Sequence, residues 1–252
     1  MEKMVKFWQK GDSLAIRTIE YKGGSYDISY EMVGQGEPTL LFLHGWGSNK
    51  ELMRRAFPPA KGWCSLYLDM PGFGKSPNEA VLTTQDYANI VKLFLQSLDK
   101  RPQIVVGHSF GGKVATLLEP KLLVLLSSAG IPVAKPWSVR AKIWLYKVLK
   151  PFGGAKLKSF FVSKDARGMS EAMYETFKRV VDEDFSERFA SFDKDALLFW
   201  GREDRATPLE CGQKIASLIP KSELIVMDGD HFFFLDKGEQ IMEKVRERYE
   251  KL

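Results

Sequence analysis

A serine, a histidine and a carboxylate, each following an apolar run, are the residues of this chain best suited to chemistry. Ser109 lies in Gly107-His108-Ser109-Phe110-Gly111, between the run QIVV and the helical pattern KVATLL. A serine hydroxyl is a weak nucleophile; a sharp strand-to-helix turn projects it, and small residues on either side let the two elements approach closely. A base must then take its proton. The chain has 3 histidines: His44 in LFLHGWG, His108 inside the serine turn, and His231 in MDGDHFFF. His231, on a loop after the last apolar run, is the one positioned to reach the serine from above a sheet. Its acid partner is read as Asp204, in WGREDRATP directly after ALLFW, where a carboxylate can meet the far ring nitrogen and stabilise the imidazolium. Glu203, Asp193, Asp228 and Asp230 compete for that role. Glu203 is adjacent and points away, Asp193 precedes its strand, and Asp228 and Asp230 lie too near His231 in sequence to approach its ring from the required side.

Such a trio carries out acyl transfer only where hydrogen-bond donors meet the developing negative oxygen, each contributing about 2.7–4 kcal/mol. The backbone N–H of Phe110, at the start of the helix after Ser109, is one donor. The loop HGWGSN supplies the second, with Gly45 and Gly47 allowing close backbone approach; the N–H of Trp46 is taken for it. His44, Asn49, Trp144, Arg179 and Phe232 are the candidates for contacting the substrate, His44 by positioning the oxyanion loop. Neither a metal nor a cofactor is expected. The histidines are committed, Cys64 and Cys211 have no second ligand type beside them and read as buried free thiols, and MPGFGKS and HGWGS lack the spacing of a phosphate loop.

Positioning these groups requires a layered scaffold. Residues 14–20 and 26–33 alternate around Lys22-Gly23-Gly24, the pattern of an antiparallel hairpin. TLLFLH, CSLYLDM, QIVVGH, LLVLLSS, ALLFWG and ELIVMDG are continuously apolar, as strands buried on both faces of a parallel sheet should be. Helical patterns lie between them, over 50–56, 84–98 with Thr83 and Thr84 as caps, 110–119, 209–218 and 237–252. Alternating strand and helix predict an α/β fold with a mostly parallel, eight-stranded sheet and helices on both faces.

From residue 131 to about 190 that rhythm stops. Two amphipathic helices, over 137–149 and 171–181, predict a helical cap inserted over the carboxyl ends of the strands, where open α/β sheets bind ligands. The expected organisation is thus a core of residues 1–130 and 191–252 with a cap of residues 131–190. Residues 120–164 hold nine Lys and Arg and no acid, on a chain whose net charge is +5, so the remainder is net acidic. A local basic surface of this kind says little for nucleic acid and is compatible with an anionic substrate or partner. The 252 residues, 44% hydrophobic and 27% charged, exclude disorder and fibre. No run approaches the length of a membrane span, and charges interrupt the N-terminus too early for a signal peptide, so a cytoplasmic protein with no stable membrane insertion is expected.

LFLHGWGS, YLDMPGFGKS, VVGHSFGG, FWGREDRATP and DGDHFFFLD together resemble the α/β-hydrolase superfamily, over nearly the whole chain except its first dozen residues and much of the cap. The resemblance implies that fold, with Ser109 as nucleophile, His231 as base, Asp204 as acid, and Trp46 and Phe110 as oxyanion hole. It implies hydrolysis of a carboxylic ester or thioester through an acyl-serine. Gly-Trp-Gly after the first histidine, with a short cap, is similar to bacterial carboxylesterases of the pimeloyl-carrier-protein methyl-ester esterase kind. The partners implied are a small-molecule ester and, at the basic cap, an acidic acyl carrier protein. Other features resemble meta-cleavage carbon–carbon hydrolases. That group usually carries Trp after the catalytic histidine, where Phe232 stands here, and a cap arginine, for which Arg167 and Arg179 are available. A ligand sensor acting through a partner is the reading from another class. A serine at the elbow argues against dehalogenase and epoxide-hydrolase chemistry, which need a carboxylate nucleophile.

Overall fold

Each apolar run read as a strand forms one. The computed structural model describes residues 15–133 and 169–252. β1 (Ala15–Tyr21) and β2 (Gly24–Val33) make the antiparallel hairpin, turned by Lys22 and Gly23 at φ 49° and 76°. Two successive positive φ values give a two-residue turn the twist of its strands. β3 (Thr39–Leu43), β4 (Cys64–Leu68), β5 (Ile104–His108), β6 (Leu122–Leu126), β7 (Asp195–Gly201) and β8 (Ser222–Met227) complete an 8-stranded sheet in the order β1-β2-β4-β3-β5-β6-β7-β8. From β4 to β8 all pairs are parallel, and the hairpin joins them through an antiparallel β2–β4 pair.

Residues of β3, β5 and β6 alternate between two apolar layers, which is why their sequences show no polar alternation. Leu41, Leu43, Val105, Leu123 and Leu125 pack with α2 (Thr84–Ser97), α3 (Phe110–Leu118) and α6 (Leu209–Leu218). Leu40, Phe42, Ile104, Val106, Leu122 and Val124 pack with α1 (Lys50–Ala56) and α7 (Phe234–Tyr249). The helices that follow β3 and β5 therefore lie on opposite faces, although the two strands are paired neighbours. Loops that part in this way open a crevice at the strands' carboxyl ends.

Helix boundaries differ from the sequence reading in instructive places. Thr83 is the N-cap of α2 and forms a capping box with Asp86, whereas Thr84, expected to share that role, lies inside the helix and donates its hydroxyl to Glu183. The last helix begins at Phe234 rather than at 237, because Phe234 is fully buried under the sheet and starts the apolar stripe through Ile241 and Val245. Of the expected cap, the described part consists of α4 (Glu171–Val180), the short α5 (Ser186–Ala190), which periodicity did not reveal, and their connecting turns. The helix expected over 137–149, Trp144, Arg167 and the basic stretch from Lys135 to Lys164 lie outside the described residues. Among the described residues no helix is long and apolar enough to cross a membrane. Cys64 and Cys211 are buried free thiols.

Candidate active site

Ser109 stands between β5 and α3 at φ 50°, ψ −114°, a conformation that costs a non-glycine residue of order 1–3 kcal/mol and persists only where its surroundings enforce it. They do so here. Its N–H donates to the Leu126 carbonyl at 3.1 Å, and its carbonyl accepts from Ala129 at 3.1 Å and Gly112 at 3.0 Å. The helix packs so close that a Cβ on Gly107 would come within 2.5 Å of the Gly111 carbonyl oxygen, and one on Gly111 within 2.5 Å of the Leu43 carbonyl oxygen. The small residues flanking the serine are thus a steric requirement of the turn.

Asp204, at the end of β7, and His231, after β8, meet across the loops of two adjacent strands: His231 Nδ1 lies 2.8 Å from Asp204 Oδ2. Asp204 Oδ1 accepts from the N–H groups of Ala206 at 2.8 Å and Thr207 at 2.9 Å. The Thr207 hydroxyl lies 2.9 Å from Oδ2 and 3.1 Å from the Ser127 carbonyl, and Trp200 Nε1 holds the Thr207 carbonyl at 2.7 Å. Burial alone would raise the Asp204 pKa; the bond and charge of His231 together with the Thr207 amide overcome it and hold the carboxyl at about 2. An acid that stays ionised fixes the proton of His231 on Nδ1 and leaves Nε2 as the basic nitrogen. Three of the four rival carboxylates are engaged elsewhere: Glu203 accepts from Gly229 N–H at 2.6 Å, Asp228 pairs with Arg202 at 3.1 Å, and Asp230 accepts from Phe232 N–H at 2.8 Å.

The HGWGSN loop lies beside the serine, close enough that a Cβ on Gly45 would be 3.2 Å from Ser109 Cβ. Trp46 packs against Phe110 at 5.5 Å, Phe73 at 4.8 Å and Phe177 of α4 at 5.3 Å between ring centroids. The two residues whose N–H groups were read as oxyanion donors are therefore neighbours, and α4 packs on one of them.

Other sequence-read contacts need correction. His44 is fully buried, accepting the Met70 N–H on Nε2 at 3.0 Å and donating Nδ1–H to the Gly45 carbonyl at 2.8 Å; it steadies the loop from behind and offers a substrate no polar atom. Burial lowers its pKa. Asn49 commits its Oδ1 to capping α1, at 3.0 Å from Leu52 N. Arg179 is exposed on α4, off the stripe of the buried Met173, Thr176 and Val180. Phe232 does flank the site, 43% exposed, with its ring 5.5 Å from that of His231.

Two buried cations went unread. Lys50 pairs with the buried Asp69 at 2.9 Å, and Asp69 also takes the N–H groups of Lys50 at 2.7 Å and Lys75 at 3.0 Å, joining the loops after β3 and β4. Lys113 on α3 donates to the Val180 carbonyl and to Glu183 at 3.0 Å, pinning the end of α4 to α3. A lysine interrupting the apolar stripe FGGKVATLL was the available signal, but its partner lies 70 residues away.

The chain belongs to the alpha/beta hydrolase family, whose model matches residues 40–244, and it is thereby a member of a hydrolase enzyme family. It is 28% identical over 221 residues, 75% of this chain and 81% of the other, to the uncharacterized hydrolase YugF of Bacillus subtilis. Over 252 aligned residues, 85% of this chain and 88% of the other, it is 26% identical to a 2-hydroxy-6-oxononadienedioate/2-hydroxy-6-oxononatrienedioate hydrolase of Escherichia coli. A 90-residue stretch, 35% of this chain and 33% of the other, is 36% identical to the pimeloyl-[acyl-carrier protein] methyl ester esterase of Proteus mirabilis. Among solved structures, the esterase EaEST from Exiguobacterium antarcticum superposes with a TM-score of 0.72 at 22% identity, covering 92% of this chain and 98% of that one.

Proposed function

We propose that this chain is a serine hydrolase that cleaves a small carboxylic ester or thioester through an acyl-serine intermediate. The observation that carries the reading is the imidazole of His231, held at 2.8 Å by a buried, ionised carboxylate, on the loops beside a serine constrained at φ 50°. In this mechanism His231 Nε2 takes the proton of Ser109 as its oxygen attacks the acyl carbon. The N–H groups of Trp46 and Phe110 meet the oxyanion, and the imidazolium returns the proton to the leaving alcohol or thiol. Water, activated by the same nitrogen, then attacks the acyl-serine and frees Ser109. The test is a fluorophosphonate probe read by intact mass: one adduct on the wild type and none on Ser109→Ala. An unlabelled wild type would refute the reading.

Carbon–carbon hydrolysis is the second reading, favoured by the 26% identity that runs over 85% of this chain. Phe232 in place of a Trp and the outward-facing Arg179 favour the ester. kcat/KM for acyl esters of graded length, set beside a vinylogous 1,5-diketone acid, separates the two. A ligand sensor on this fold would show slow turnover and retention of a partner, whereas brisk turnover of several esters is expected. For the acyl side, the relative named for the methyl ester of a carrier-protein-bound acyl group and the nine positive charges of residues 120–164 support an acidic acyl carrier protein as the group that carries the acyl chain to the site.

A further inference from the structure

His108 is the histidine that the reading above leaves without a role. Its side chain is buried at 2% exposure among His231, Phe232 and Phe234, with ring centroids at 4.7, 5.3 and 4.6 Å. Its Nε2 lies 3.0 Å from the backbone carbonyl of His231. A carbonyl only accepts, so Nε2 carries the proton, and Nδ1 is a bare acceptor. That acceptor has no partner among the described residues and faces Gly45, where a Cβ would come within 2.8 Å of it. Burial, and next the charge of His231, push the His108 pKa down to about 3, so the ring adds no positive charge beside the base.

The His231 loop is tied to the β7 side by Glu203, which accepts from Gly229, and by Asp204. The bond from His108 ties it to the strand that carries Ser109. We propose that His108 is a positioning residue for the base: its Nε2–H holds the His231 backbone in register with the serine elbow, so that the imidazole keeps its approach to Ser109. The proposal rests on Ser109 and His231 being nucleophile and base.

His108→Phe keeps a ring of similar size against the same three neighbours and removes the donor, whereas His108→Gln restores an N–H at similar reach. Expected for His108→Phe is a kcat at least tenfold below wild type with KM within about twofold, and a fluorophosphonate labelling rate lowered in parallel, because a misplaced base slows attack without altering binding. His108→Gln should recover kcat to within a few-fold. Should His108→Phe fail to fold, His108→Met against His108→Gln provides the same contrast. Wild-type kcat in His108→Phe, or equal losses in the Phe and Gln variants, would overturn the proposal in favour of ring packing. A wild type that the probe does not label would remove the nucleophile reading and this proposal with it, a result distinguishable from labelling that is fast in both wild type and His108→Phe.

Discussion

Removing Glu183 should destabilise the protein more than removing the buried lysine it serves. The Lys113 side chain is 1% exposed and that of Glu183 33%. The ammonium lies between the rings of Phe110 and Phe185, 5.6 and 5.2 Å from their centroids, with the Val180 carbonyl as its other acceptor. Glu183→Ala takes from that buried cation the carboxylate hydrogen-bonded to it and leaves only the weaker charge of Asp182. Stripping one partner from a buried pair costs about 3–5 kcal/mol, and the partial exposure of Glu183 reduces this to about 2–3 kcal/mol. For a chain of this size that is a drop in Tm of about 4–12 °C. Lys113→Met replaces the cation with an apolar chain of similar volume and frees Glu183 to face water, so it should cost about 0–1 kcal/mol. The two variants also differ in pH dependence. Burial lowers the Lys113 pKa below its ordinary 10.5, against the opposing pull of Glu183, and deleting Glu183 lowers it further. Between that lowered value and 10.5 the unfolded chain binds the extra proton, so stability rises with pH and the deficit of Glu183→Ala should shrink from pH 7 towards pH 10. The double variant should not show this recovery. Urea unfolding of the four proteins across that range measures it; a Lys113→Met loss exceeding that of Glu183→Ala, or a deficit indifferent to pH, would refute the reasoning.

Gly45→Ala puts a methyl 2.8 Å from His108 Nδ1 and 3.2 Å from Ser109 Cβ; kcat should fall more than about tenfold, as misplacement at a reacting centre does, while circular dichroism stays native. Unchanged kinetics would show that the elbow yields. Asp204→Asn should lower kcat by about 10³–10⁴, since an amide cannot enforce the required tautomer, and steady-state assays at pH 8 would expose a smaller loss. Because the Asp204 carboxyl is held at about 2 against an ordinary 3.8, its contribution to stability is complete above 3.8 and is lost as pH falls towards 2. His108 acts in the same direction, over a higher pH range. Held at about 3 against an ordinary 6.5, it lets the unfolded chain take up a proton that the folded ring refuses, so stability declines below pH 6.5 with a limiting slope of about 1.4 kcal/mol per pH unit. His108→Phe should flatten that part of the curve, and an unchanged slope in thermal melts would mean that the ring protonates in place.

What the sequence determined by itself are the features that local physics controls. Continuous apolar runs specify strands covered on both faces, and the glycines around Ser109 specify a turn in which a Cβ would strike backbone. Asp204 and His231 could be read because each directly follows a strand, and strand ends converge at one edge of a parallel sheet. Tertiary structure decided the rest, since burial and partner choice are not encoded in spacing. His44 and Asn49 have the side chains of binding residues, yet packing turned both onto backbone amides and carbonyls of their own scaffold. Arg179 was within reach of the site by sequence position, and the helical phase set by Met173, Thr176 and Val180 turned it to solvent. Lys113 with Glu183, Lys50 with Asp69, and His108 with the His231 carbonyl are contacts between residues 19 to 123 positions apart. A charged or polar group buried in a low-dielectric interior must find such a partner or pay for its absence, and only the folded chain determines which partner lies within reach.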